Sequence, residues 1–386
     1  MDSDAHLAMV DRVFQMTESG SAEAVAEWPV NDYLDPARFE REMSVLRTVP
    51  YPLTHTSQLA EPGQFRVERL FGRSVIVVHS HSGGYRALLN VCRHRGAEVA
   101  GTDCGTVKKF MCPYHAWTYD TDGRLSHVPD EQRSFPGLRH ADRGLTELPL
   151  EVRHGLLWVT AEGTGQPVAE FLGPELDADL AASGAAAYTV HESGAQTRRF
   201  NWKTGAESFM ESYHFAVLHR ETAGRIFLHN AGAYDQLGPH FRTLAPKKTL
   251  REKSREQWTT PGTATFMYLI FPSVAMFVEK DHINLLVIIP VTVDTCRVIR
   301  THLVARPRPR LREYWDENIA LFMDAVNEDL DICESMQRGY ASGANSMVTF
   351  GRNEGGCTAY RRAVETMLGF PAATGTAGVS GAARAR

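Results

Sequence analysis

The chain has 386 residues, 43% hydrophobic and 23% charged, enough for two domains with a core each. A formal net charge of -5 leaves no cationic surplus for a polyanion and argues against nucleic-acid binding, and no apolar run reaches membrane-spanning length. Six cysteines in so long a chain are no disulfide framework and read as cytosolic thiols available to metal, which predicts a cytoplasmic protein.

The opening segment, MDSDAHLAMVDRVFQMTESG, is acidic and lacks a basic stretch, so no signal peptide is expected. Asp35 and Pro36 then supply a cap and a first-turn proline for a helix in DPARFEREMSVLR, within an N-terminal helical segment over 1–50 that packs on the later domain. Over 51–162 the texture changes to short β segments, SVIVVHS, YRALLNV and GLLWVTA, separated by glycine-bearing turns, the pattern of a small antiparallel β domain. The alanine-rich ADLAASGAAAY that follows is a helix or an exposed connection. From 163 to 370 helical patterns (NWKTGAESFMESYHFAVLH and REYWDENIALFMDAVNEDLDICESMQRGY) alternate with strand patterns (TATFMYLIF, INLLVIIPV, CRVIRTHLVA), giving an α+β fold class with an antiparallel sheet. The last segment, 371–386, is small and polar and reads as a disordered tail.

The β domain contains NVCRHRGAEVAGTDCGTVKKFMCPYHAWTYD. Cys92-x-His94 and Cys112-x-x-His115 stand seventeen residues apart, so each of two loops donates one thiolate and one imidazole. A zinc finger usually draws both cysteines from one turn and both histidines from another. A two-iron cluster with thiolates on one iron and imidazoles on the other needs the mixture from each loop. Zinc remains the alternative on spacing alone. Cys104 is left over, a small residue between the two loops. Pro113 and Gly123 suit the tight turns that bring the loops together.

In the later domain, ESFMESYHFAVLH carries Glu211, His214 and His219. On an ideal helix the two imidazoles are about 140° apart, so they share a metal only if the helix bends or ends between them. The helix from Arg312 to Tyr340 has an apolar stripe of Ile319, Phe322, Val326, Leu330, Cys333 and Met336, and Asp329 falls within about 50° of its centre. Asp324, Glu328 and Asp331 are expected on the solvated half. An inward carboxylate is costly without a partner, and with two histidines it makes the triad of oxygen-activating non-haem iron sites.

The C-x-H-x17-C-x-x-H spacing, the NW pair of Asn201 and Trp202, the H-x4-H segment and NEDLDICESMQRG together resemble the α (terminal oxygenase) subunits of Rieske non-haem iron oxygenases, from about Tyr33 to Leu368. The resemblance implies a Rieske domain followed by a helix-grip type catalytic domain. It places a [2Fe–2S] cluster on Cys92, His94, Cys112 and His115, and mononuclear Fe(II) on His214, His219 and Asp329. Glu211 matches the acid that links the two centres, and Asn201 is carried over as a candidate catalytic residue. Ser208, where the family often has Asn, and Glu211, where ring dihydroxylases usually have Asp, weaken the inference to arene dihydroxylation. The resemblance further implies a homotrimer, a small-molecule substrate oxidised by O2, and NAD(P)H electrons arriving through a flavin and iron–sulfur reductase or a ferredoxin. No dinucleotide fingerprint occurs in the chain itself. Hydroxylation of a ring, oxidation of a quaternary ammonium compound and N-demethylation stay open, as does an electron carrier without oxygenase activity. For a quaternary ammonium substrate, Tyr268, Phe271 and Phe277 are the aromatic side chains available.

Overall fold

The computed structural model describes residues 8–13, 24–254, 257–258, 262–306 and 310–370. The predicted tail, 371–386, lies outside the described residues. The chain forms two compact units, one of Ser44–Ala195 and Ile299–Pro309, the other of Met1–Met43, Gln196–Val298 and Arg310–Arg386. Among the described residues no helix is long and apolar enough to cross a membrane.

The first unit is built on β hairpins. Strands β1 (Gln64–Leu70), β2 (Arg73–His79) and β3 (Tyr85–Leu89) pair antiparallel in the middle of a five-stranded sheet, with Cys104–Thr106 and Glu147–Leu148 at its edges. Cys104 is thus an exposed edge-strand residue rather than part of a loop. β4 (Lys109–Met111), β5 (Thr118–Asp120) and β6 (Leu125–His127) form a second small sheet. Phe65, Ile76, Leu88, Phe110, Trp117 and Tyr119 pack one core that also takes in the side chains of Cys92 and Cys112. Gly123, at φ 89°, makes the β5–β6 turn, where a side chain would meet Leu88 at 2.9 Å.

A larger sheet, of which only the five strands from Ala233 to Thr292 lie wholly in the second unit, has in chain order β7 (Thr189–Arg198), β8 (Ala233–Leu237), β9 (His240–Pro246), β10 (Ala264–Ile270), β11 (Val274–Val278), β12 (His282–Thr292) and β13 (Thr295–Val304). Their spatial order is β7-β13-β12-β11-β10-β9-β8. The run from His240 to Thr292 is a meander, each strand pairing antiparallel with the next. Its helices are α1 (Pro36–Leu46), α2 (Trp202–Glu207), α3 (Arg312–Ala341) and α4 (Gly355–Met367). The long helix α3 grips the sheet through edge-to-face contacts, Phe322 on Phe277 with ring centroids 5.1 Å apart and Trp315 on His282 at 5.7 Å. The expected α+β class, with a small β domain and a separate α/β domain built on an antiparallel sheet, is the observed one.

Short helix α2 is anchored from inside. Lys203 is fully buried and donates to both carboxylate oxygens of Glu42 on α1, at 2.8 and 2.9 Å, while the Trp202 indole also donates to Glu42. A buried ammonium needs such a partner. The chain that leaves α2 therefore starts from a fixed point.

Candidate metal centres

In the first unit the two Cys/His loops repeat one backbone design. The Cys92 N–H donates to the Ala97 carbonyl and the Gly96 N–H returns to the Cys92 carbonyl; Cys112 does the same with Trp117 and Ala116. Each loop closes through a left-handed residue, Gly96 at φ 85° and Ala116 at φ 55°. Buried Asn90 holds the first loop by accepting from the N–H groups of Val99 and Ala100, at 2.8 and 2.9 Å. Matching loops bring matching groups together. Cys92 and Cys112 are 2% and 3% exposed, free of any disulfide and part of the same core cluster.

The two imidazoles lie on the outer side. His94 and His115 have ring centroids 4.8 Å apart, and His115 is exposed. Trp117 stacks on His94 at 4.9 Å, with Phe135 edge-on to both rings, so the inner imidazole is held in one orientation. Tyr119 places its hydroxyl 3.3 Å from the Cys92 sulfur and accepts from the Arg93 N–H. Two buried thiols beside two facing imidazoles suit a cluster with sulfur ligands on one iron and nitrogen ligands on the other.

In the second unit, the segment from Asn201 to His219 is not the single helix its pattern suggests. Helix α2 ends at Glu207, a 3-10 turn follows over Ser208–Met210, and Glu211 is extended at φ -145° and ψ 167°. A second 3-10 turn, Tyr213–Ala216, then begins. The break has a local cause. The Glu211 carboxylate accepts from the N–H groups of Tyr213 and His214, capping the new turn as an N-cap side chain would. Glu211 and His214 do meet, through this cap rather than along a helix face. The break also removes the 140° obstacle, leaving the His214 and His219 rings with centroids 4.9 Å apart.

Helix α3 completes the group. Asp329 is buried, as its helical phase predicts, and Asp331 is exposed. His214 Nε2, His219 Nε2 and a carboxylate oxygen of Asp329 lie within 4.8 Å of one another. Asp329 Oδ1 sits 3.0 Å from His219 Nε2 and 3.4 Å from His214 Nε2, and the two Nε2 atoms are 3.2 Å apart, so the three groups converge on one point. Burial alone would lower the His214 pKa, but the Asp329 and Glu211 carboxylates outweigh it and push the ring up to about 10. His219 is raised in the same way, burial being outweighed by Asp329 and Glu328. The carboxylates thus call for positive charge at this point, which a divalent cation supplies. The donor set fits non-haem Fe(II).

Both ring orientations are set from behind. His214 Nδ1 is hydrogen-bonded to Glu211, and His219 Nδ1 lies 2.7 Å from Glu328, which also accepts from the Thr222 hydroxyl at 2.6 Å. The expectation of a solvated Glu328 is therefore corrected: its side chain is 31% exposed and engaged with His219. Helical phase misses it because the turn carrying His219 and Thr222 comes up to a flank of the helix that lies away from the apolar stripe. Asn201 stands apart from these groups. It is fully buried, caps α2 by accepting from the Lys203 N–H, and donates to the Tyr33 and Val293 carbonyls.

A cavity of about 1080 Å³ opens onto the triad, within this one unit. Of the three strand aromatics proposed as a cage, only Phe277 lines it. Phe271 follows β10, and Tyr268 alternates with cavity-lining Met267 and so points to the other side of the sheet.

Two family models match the chain, the Rieske [2Fe-2S] domain over residues 49–148 and the ring hydroxylating alpha subunit (catalytic domain) over residues 182–369. The chain belongs to the Rieske ring-hydroxylating oxygenase α-subunit family, whose two domains imply a Rieske cluster and a mononuclear iron. It is 33% identical over 187 residues to the biphenyl 2,3-dioxygenase α subunit of Rhodococcus jostii (strain RHA1), covering 47% of this chain and 41% of that one. It is 31% identical over 233 residues to the N,N-dimethyl phenylurea N-demethylase α subunit of Sphingobium sp. (strain YBL2), covering 56% of this chain and 49% of that one. The matches thus span about half the length of these curated relatives, or less. The fold is similar to that of the quaternary ammonium Rieske monooxygenase CntA in complex with L-carnitine, with a TM-score of 0.76 and 20% identity over 90% of this chain and 96% of that one. It is also similar to naphthalene 1,2-dioxygenase from Rhodococcus sp. bound to indole, with a TM-score of 0.74 and 18% identity over 95% and 99%.

Proposed function

We propose that the chain is the terminal oxygenase of a multicomponent system, hydroxylating or oxidatively demethylating a small organic substrate with O2. The observation that carries this reading is the presence of two complete donor sets in one chain. Cys92, His94, Cys112 and His115 would hold the [2Fe–2S] cluster, and His214, His219 and Asp329 the iron. Those groups, when bound, supply single-electron transfer and the activation of dioxygen. This chain's own residues supply orientation and a partly apolar cavity. Glu211 and Glu328 fix the two imidazoles through Nδ1, leaving each Nε2 for metal. The Phe209, Phe277 and Phe322 rings, edge to face at 5.8 and 5.1 Å, form an apolar wall of the cavity over the triad.

Electrons are supplied by a separate reductase or ferredoxin drawing on NAD(P)H, and the molecule works as a homotrimer in the cytoplasm. Two surfaces support transfer between copies. Met111 and Tyr114, 61% and 57% exposed, flank exposed His115, while Tyr213 and Val217, 55% and 82% exposed, flank His214. Apolar side chains left open beside both centres suit a contact with a neighbouring copy. There Glu211 would accept from the neighbour's Rieske histidine as well as from His214.

An oxygenase carries one iron beyond the two of its cluster, whereas an electron carrier has the cluster alone. Metal analysis with O2 uptake on a panel of arenes, N-methyl compounds and quaternary amines tests the reading; cluster iron only, with no substrate-dependent uptake, overturns it. Glu211→Gln is expected to keep both metals yet slow oxidation of the reduced cluster by O2 and substrate by orders of magnitude in a single turnover. Wild-type rates in that variant would remove Glu211 from the route.

A further inference from the structure

The cavity over the triad changes character along its length, and the charges left at its far rim once the ion pairs are formed are positive. On the sheet wall, Met267 and Phe277 stand opposite each other on β10 and β11 and face the cavity. Two residues along each chain, facing the same way, come Thr265 and Glu279. The β11–β12 hairpin then turns at Lys280 and Asp281, closed by the Glu279 N–H donating to the His282 carbonyl at 3.0 Å.

Helix α3 fixes the order of these groups relative to the metal ligands. Phe322 packs on Phe277, so the apolar row lies beside the middle of the helix, while Trp315 packs on His282, so the hairpin turn lies beside its first turns. The helix side of the cavity changes in the same sense, from Arg310 and Tyr314 to Leu321, Phe322 and Val326, and then Asp329. From Tyr314 to Asp329 is about 22 Å along the axis at 1.5 Å per residue. The long stems of Lys280 and Arg310 shorten that gap, and a ligand that reaches from rim to triad is still elongated.

Three cations and two carboxylates line the rim, Lys247, Lys280 and Arg310 against Glu279 and Asp281. Glu279 accepts from Lys247 at 3.0 Å and from the Thr265 hydroxyl at 2.5 Å, and Asp281 is hydrogen-bonded to His282 Nδ1 at 3.0 Å. Lys280 and Arg310 are exposed and have no carboxylate partner among the described residues; the Arg310 guanidinium lies over the Tyr314 ring instead, 5.2 Å from its centroid. The other basic lining residues are placed elsewhere. Arg12 is paired with Asp235, and Arg352 precedes α4, whose Gly356 abuts the Met210 carbonyl next to Glu211, at the metal end. A cationic head at the rim would have to displace Lys247 or His282 from its carboxylate, whereas an anionic one meets two cations without one.

We propose that the site takes an elongated amphipathic carboxylate, its anionic head at Lys280 and Arg310 and its apolar body along Met267, Phe277, Phe322 and Val326 toward the triad. The proposal rests on the oxygenase reading for the fate of the body, and on the cavity for its binding. Titration calorimetry on the iron- and cluster-loaded protein compares decanoate with two probes of the same chain length, decan-1-ol and decyltrimethylammonium. Two partly screened charges should make decanoate bind about fivefold tighter than either, and added salt should narrow that margin. Lys280→Gln combined with Arg310→Gln, in protein with wild-type iron content and cluster absorbance, should erase it. Equal or tighter binding of the alcohol or the ammonium probe, no binding of decanoate, or a margin that survives the double substitution, as it would if the carboxylate bound iron, would overturn the proposal. Any of these in protein that takes up O2 with an uncharged substrate would leave the oxygenase reading standing. The full margin in protein that shows no O2 uptake on any substrate would instead count against the oxygenase reading and leave the ligand class standing.

Discussion

Each candidate ligand histidine is held by a carboxylate behind it, and the two carboxylates came to light differently. Glu211 is three residues from His214 and stands out in the sequence. Glu328 is 109 residues from His219, and only folding shows that the two touch. Such a partner typically sets metal affinity by about 10–100-fold, because it fixes the ring's tautomer and aim. Glu328→Ala is therefore expected to weaken Fe(II) binding by that order in a metal titration while the Rieske absorbance is unchanged. Glu328→Gln, which still offers an acceptor oxygen, should recover most of it. The neighbouring acids separate in the same assay. Asp329→Ala should lose the mononuclear iron, whereas Asp331→Ala, whose side chain is 70% exposed and paired with Arg198 at the surface, should keep iron and cost only a few tenths of a kcal/mol. Loss of iron in Asp331→Ala would mean that the inward carboxylate was misassigned.

At the scale of elements, the mononuclear site depends on a turn rather than a helix. The chain from Glu211 to Gly224 folds back so that the Gly224 N–H donates to the His219 carbonyl at 2.9 Å. A methyl group on Gly224 would meet the Phe215 carbonyl oxygen at 2.4 Å and that of His219 at 2.7 Å, both backbone atoms that cannot step aside. Gly224→Ala is expected to displace the turn and strip the mononuclear iron while leaving the cluster in the other unit intact. Iron counting alongside the visible spectrum checks it; full iron occupancy would show that the turn tolerates the shift. Of the two Rieske loops, by contrast, the second closes the β4–β5 hairpin, and Gly96 marks the turn of the first.

At the scale of the molecule, the proposed route between copies makes a prediction that no single-chain relay shares. On the proposed assignment Cys92→Ser would remove a cluster ligand and Asp329→Ala an iron ligand, so the assembly formed by either variant alone should be inactive. Co-expressed and purified as mixed assemblies, the two should recover a fraction of wild-type turnover, because some interfaces then pair an intact cluster with an intact iron site. No recovery in assemblies shown to be mixed would place the transfer within one chain. The test needs no substrate beyond one that supports turnover.

What the sequence determined by itself is the chemistry that short spacing encodes. Cys92, His94, Cys112 and His115 lie within 24 residues of one another, so their spacing alone marks them as one ligand set, although packing of two separate sheets brings the loops together. Asp329 was also legible, since helical phase depends only on neighbours along α3 and burial without a partner is costly. Tertiary structure decided the rest. The break at Glu211 follows from a side chain capping a turn, which competes with a helical pattern in a way periodicity does not register. The Glu328 contact joins residues more than a hundred positions apart. The cavity's two ends arise because sheet rows and a helix face, each ordinary in sequence, are packed against one another in a single register. Side-chain patterns report what each element buries; only packing decides what the buried faces enclose.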